Sequence, residues 1–313
     1  MLSLPSMNLI STVRQYYLGH FDELPSDKQF HFASRLAAWE NLPAAHDKLK
    51  LLRQTIAPEK EIEKSLAALL HSPPEAKINA ASTRQAYFEQ YSELRPFMLA
   101  LFRVRHLRDI YGIAARESLL ELVSEDQLGD LASQLMEDEK AMRVLSTYAV
   151  NYLYLLDHIL FKDRDGTCLD VQRLYDIGRA AQANDPEEIQ LFIYFYTHCI
   201  IGESNFYLWQ TRSSYRSIYQ RMIEDLESLI GKNFRNINLD NKLEFLVCCR
   251  ILSYASKLES KIYQECTQSI SIEGDFLVDT LNDFAQSEKT SFSDSEHRNV
   301  LFIMSGSPYR HAA

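Results

Sequence analysis

Two long segments, about 40 residues apart, carry almost unbroken apolar sequence and the same polar punctuation. Asn151-Tyr-Leu-Tyr154-Leu-Leu-Asp157-His158-Ile-Leu-Phe161 is answered by Leu191-Phe-Ile-Tyr194-Phe-Tyr196-Thr197-His198-Cys199-Ile-Ile201. In each, a tyrosine precedes a histidine by four residues, one helical turn along a single face. Tyr16 and His20 repeat the spacing. Apolar residues all round a helix mean burial on several sides, so the spans Lys140–Phe161 and Pro186–Gln210 are predicted as inner helices. Cys168–Ala183 and Tyr215–Ile230 carry charge on one face only and are predicted to lie outside them.

The remainder of the chain follows the helical period of 3.6 rather than alternation. Helices are predicted over Asp27–Asn41, from Pro43 to Ile56, over Pro96–Ile113, over Leu239–Tyr263 with a possible break, and over Glu273–Phe284 and Ser295–Met304. Nine glycines and nine prolines in 313 residues are too few for the many tight turns of a strand-rich protein. The expected fold is all-α, with about 14 helices in antiparallel hairpins stacked as an α/α solenoid or toroid-like bundle. Ser72-Pro73-Pro74 must interrupt the chain. It divides an N-terminal helical subdomain, 1–75, from a main repeat-like domain, 81–313.

Net charge and cysteine usage narrow the setting. A formal charge of −10 provides no basic face for phosphate neutralisation, so nucleic acid is not an expected partner. The densest basic cluster, Arg103, Arg105, His106 and Arg108, points around a helix rather than to one side and is expected to be a solvated or salt-bridged face. Five cysteines without a C-x-x-C spacing fit a reducing, cytoplasmic location better than a disulfide framework. No membrane span is expected, because Asn151, Asp157, His158, Thr197, His198 and Glu203 interrupt the most apolar helices.

Candidate chemistry lies on the two repeated helices. Thr147, Asn151, Tyr154 and His158 fall on one stripe, and Gln190, Tyr194, Thr197, His198 and Asn205 on another. If both stripes faced a shared cavity, His158 and His198 would polarise a substrate while Glu203 or Asp157 served as acid or base. Asn151, Tyr154, Tyr194 and Thr197 would then contact the ligand. Otherwise each imidazole hydrogen-bonds a neighbour and supports packing. No metal or cofactor is expected: His158, His198 and Cys199 lack a metal-binding spacing, and Asp163-Arg-Asp165-Gly166 registers wrongly for a calcium loop. Asn241-x-x-Glu244 reads as a helix start. Phosphate loops, nucleophile elbows and dinucleotide fingerprints are all missing. The leading expectation is a non-enzymatic helical-repeat binding or scaffold protein with a protein or small-molecule ligand. The alternative is an α/α-toroid hydrolase or lyase with a Tyr- and His-lined cavity.

Overall fold

The computed structural model describes residues 4–56, 61–74, 83–161, 169–180, 185–279 and 291–311. Among the described residues there are sixteen α-helices and no strand; a single isolated bridge pairs Ile270 with Leu277. In chain order they are α1 (Leu4–Gly19), α2 (Ser26–Glu40), α3 (Pro43–Ile56), α4 (Ile62–His71), α5 (Thr83–Gln90) and α6 (Leu94–Tyr111). Then come α7 (Arg116–Leu120), α8 (Glu125–Glu137), α9 (Glu139–Leu145), α10 (Thr147–Leu156), α11 (Val171–Arg179) and α12 (Pro186–Glu203). The last four are α13 (Arg216–Lys232), α14 (Leu239–Ile251), α15 (Glu259–Gln268) and α16 (Glu296–Ser305). The chain forms two compact units, Arg53–Asn205, and Met1–Leu52 together with Phe206–Ala313. The predicted boundary after residue 75 falls on 75–82, outside the described residues.

In the unit Arg53–Asn205, α10 is the centre. Every residue from Ala149 to Leu156 is buried, and α10 packs against both α6 and α12. Three contacts fix the direction of α12 against this chain segment. Ser146 Oγ donates to the Leu191 carbonyl (2.8 Å), His198 meets Asn151 (2.8 Å), and His158 meets Gly202 (2.7 Å). The numbers rise together, so α10 and α12 run parallel. The amphipathic α11 packs on α12, burying Val171, Leu174, Tyr175 and Ile177 and leaving Gln172, Asp176 and Arg179 exposed. Gly178 permits the close approach: a Cβ there would strike the ring of Tyr196, whose hydroxyl donates to the Tyr175 carbonyl (2.8 Å).

The other unit has the same habit. Asp240 on α14 meets His297 and Arg298 at the start of α16, while Arg250 Nε reaches the Ser305 carbonyl at its end (2.8 Å). On α2, His31 meets Glu296 and the Trp39 indole donates to Ser307 just beyond α16 (3.1 Å). Thus α2, α14 and α16 are mutually parallel. Helix α1 runs the opposite way, with Tyr17 hydrogen-bonded to the Phe292 carbonyl and Gly306 lying against Ile10.

Several predicted boundaries are corrected. The expected Lys140–Phe161 helix breaks at Ser146 (φ 43°), where the hydroxyl bonded to Leu191 holds the kink between α9 and α10. It ends in a π-helical turn over Asp157–Phe161. The expected helix to Gln210 stops at Glu203, because Asn205, Phe206 and Tyr207 all take positive φ (47°, 53° and 77°). Of these three, asparagine is the residue that tolerates that region best. The cap of α14 is Asn238, three residues before the predicted one, and its side chain accepts from the Asn241 N–H (2.8 Å); the helix starts at Leu239, as expected. Residues 273–279 are not helical, and the remainder of the predicted Glu273–Phe284 helix lies on 280–284, outside the described residues. No helix among the described residues is long and apolar enough to cross a membrane.

Candidate functional site

The repeated polar stripes of α10 and α12 meet within the unit Arg53–Asn205. His158 is buried, and its Nε2–H donates to the Gly202 carbonyl at 2.7 Å. That carbonyl sits within reach because Gly202 has no side chain; a Cβ would lie 2.5 Å from Cγ of Tyr154. Fully buried Tyr154 packs its ring 6.3 Å from that of His158 and hydrogen-bonds the Cys199 thiol, whose pKa burial pushes up. One turn away, His198 Nδ1–H donates to Asn151 Oδ1 (2.8 Å). Tyr194 accepts from Gln190 Nε2 (3.1 Å) and packs edge-on against His198. Thr197 is buried and its hydroxyl leans toward the Tyr194 carbonyl (3.4 Å). Tyr194 and His198 are half-buried, unlike His158.

Asp157 and Glu203 are both buried at the C-terminal ends of their helices. Beside them lies a buried polar network built on the cluster that the sequence suggested would be a solvated or salt-bridged face. Arg105, 4% exposed, donates through Nε to Asn205 Oδ1 (3.1 Å) and through an amino group to the Asn205 carbonyl (2.8 Å). Asn205 Nδ2 in turn donates to Asp109 (2.9 Å), which also accepts two bonds from Arg108 (2.6 and 2.9 Å). Arg108 completes the circuit by donating to the His158 carbonyl (2.9 Å). Burial acts to raise the pKa of Asp109, but the bonds from Arg108 and Asn205 and the charge of Arg105 outweigh it and hold the carboxyl below its usual range. The left-handed backbone at Asn205 is therefore clamped from α6, at a strain cost of order 1–3 kcal/mol for such a residue.

A second polar cluster, in the other unit, went unnoticed in the sequence. His31 on α2 meets Glu296 (2.8 Å), and His297 on α16 meets Asp240 (3.1 Å). The two imidazole centres are 5.5 Å apart. Arg298, 3% exposed, donates twice to Asp240 (3.0 and 2.8 Å), and these partners hold Asp240 well below the usual carboxylate range despite its burial. Burial and the nearby Arg35 charge lower His31 to about 4, against the opposing pull of Glu296. The sequence signal, a His-Arg pair at 297–298, is weak alone, since its partners lie on elements far away in the chain.

Among the described residues, no three His, Cys, Asp or Glu side chains are grouped as a metal-binding set. Cys199, Cys248, Cys249 and Cys266 are buried and form no disulfide among those residues; Cys168 and the Asp163–Gly166 turn lie outside them. Burial also raises the Cys249 and Cys266 thiols, which argues against a reactive nucleophile at either. Compared with known proteins, the chain matches no family model, no curated protein and no solved structure.

Proposed function

We propose that the chain is a cytoplasmic, non-enzymatic helical-repeat protein that binds or scaffolds another molecule. One observation carries this reading: the polar groups on α10 and α12 are engaged with one another and with backbone. His158 serves the Gly202 carbonyl, His198 serves Asn151, and Tyr194 serves Gln190. A general acid or base needs a nitrogen or oxygen left for the substrate, and His158 Nε2 is spent. The parallel helices α10 and α12 in one unit, and α2, α14 and α16 in the other, support a layered α/α arrangement of the solenoid or toroid kind. Half-buried Tyr194 and His198, with Gln190 and Thr147, are the partly exposed members of the stripes that a protein or small-molecule ligand would meet, while Asn151, Tyr154 and Thr197 are buried.

The alternative, a hydrolase or lyase using Asp157, His158, His198 and Glu203, draws on the burial of Asp157, His158 and Glu203 near helix ends. Turnover assays divide the two. The chain and its Glu203→Gln and His158→Gln variants would be incubated with panels of glycosides, esters and prenyl diphosphates. The binding reading expects no turnover that depends on either residue. An activity abolished by Glu203→Gln in a chain with unchanged circular dichroism would establish the enzyme instead.

A further inference from the structure

The cluster on α2, α14 and α16 differs from the stripes above in one chemical respect: its imidazoles keep a nitrogen. His31 and His297 each use Nδ1 on a carboxylate, Glu296 and Asp240 respectively. No other hydrogen bond engages either ring among the described residues. Their side chains are 29% and 39% exposed, so solvent ions reach them. We propose that His31 and His297 form a two-histidine site for a borderline divalent transition-metal ion, with zinc, copper(II) and nickel(II) as the class.

The geometry fits. Two imidazoles bound through Nε2 to one ion at about 2.0–2.1 Å, with a tetrahedral angle between them, place their ring centres roughly 5 Å apart. The rings here are 5.5 Å apart with their planes at 44°. A carboxylate on the far nitrogen is the outer-shell arrangement that fixes a ligating histidine's tautomer and raises its basicity. Both carboxylates are themselves held. Glu296 is 3% exposed, and Asp240 receives two bonds from Arg298.

The surrounding charges define the class of ion. Arg35 and Arg298 offset Glu296 and Asp240, so the site has no acidic excess to attract a hard cation such as calcium or magnesium. Attraction must come from imidazole lone pairs, which suit zinc, copper and nickel. With two protein ligands, water completes the coordination shell, and the ion links α2 to α16. Because the unfolded chain lacks this pairing, binding stabilises the fold by mass action.

Zinc titration of the metal-free full chain at pH 7 by calorimetry tests the site, with His31→Gln, His297→Gln and His198→Gln alongside. One ion per chain is expected. Affinity should fall at least about tenfold in His31→Gln and in His297→Gln, and hold in His198→Gln. Glu296→Gln should weaken binding by about 10–100-fold, as loss of an outer-shell partner does. Zinc should also raise the unfolding temperature of the unaltered chain and leave that of His31→Gln unmoved. Wild-type affinity in both His31→Gln and His297→Gln, or binding abolished by thiol blocking alone, overturns the site. Should either variant misfold, zinc protection of His31 and His297 from diethyl pyrocarbonate in the unaltered chain decides the matter; unprotected rings refute the proposal.

Discussion

Two sets of histidines in this molecule have been put to opposite uses. On α10 and α12, His158 and His198 point at a backbone carbonyl and an amide oxygen. On α2 and α16, His31 and His297 rest on carboxylates through Nδ1, and their side chains are partly exposed. The residue type is the same, and the partner decides the role: His158 is buried, whereas His198, like His31 and His297, is half-buried. An imidazole sealed between parallel helices must satisfy itself, because an unpaired polar group there costs on the order of 1–3 kcal/mol. At the rim of a helix pair a carboxylate can orient the ring without exhausting it. Repetition of a motif along the sequence, as in Tyr-x-x-x-His, therefore marks packing here as readily as chemistry.

The largest effects that sharpen this contrast belong to the buried network of α6 and Asn205. Arg105→Ala removes the partner of Asn205 and a charge neighbour of Asp109, and should cost about 3–5 kcal/mol, as breaking a buried charged network does. Urea unfolding would measure it; a loss under 1 kcal/mol would mean the network is water-filled. Gly202→Ala comes next. Its methyl group drives into the Tyr154 ring, and an overpacked core of this kind costs about 1–3 kcal/mol.

His158→Gln follows, at about 1–3 kcal/mol, since the Gly202 carbonyl loses its donor in a buried setting. His31→Gln and His297→Gln should each cost less than about 1 kcal/mol, because those rings are half-exposed. If the order were reversed, the assignment of packing to His158 and of ligand binding to His31 and His297 would fail.

A pH dependence supplies the smallest effect. Asp109 has its pKa depressed in the fold, so its contribution is present above the unfolded carboxyl value of about 3.9 and is lost as pH falls through the lower folded value. Thermal scans between pH 5 and pH 2, taken as approximate limits around that value, should show Asp109→Asn losing less stability on acidification than the unaltered chain. Parallel curves for the two would show that Asp109 titrates normally.

Much of the helical framework was legible because the 3.6 period and the scarcity of glycine and proline act locally. The buried position of α10 was legible for the same reason, whereas α12 leaves Gln190, Leu191, Phe192, Tyr194 and His198 half-buried. What was hidden depends on distant partners. Nothing beside Ser146 announces a kink, since the bond that holds it comes from Leu191, 45 residues on. The apolar run through Phe206, Leu208 and Trp209 continues the helical pattern past Glu203, whereas the chain turns left-handed where Arg105 grips Asn205, 100 residues away. His31 and Glu296 are separated by 265 residues, so no local motif could pair them. Arg105 was expected on a solvated or salt-bridged face; it does pair with Asp109, and only packing reveals that it is inside.

Residue-by-residue modification with diethyl pyrocarbonate, in the presence and absence of zinc, tests both halves of the contrast at once. The account predicts that His158 stays unmodified in either condition, while His31 and His297 are modified without zinc and protected with it. Ready modification of His158 in the folded chain, or equal labelling of His31 and His297 with and without zinc, would contradict it.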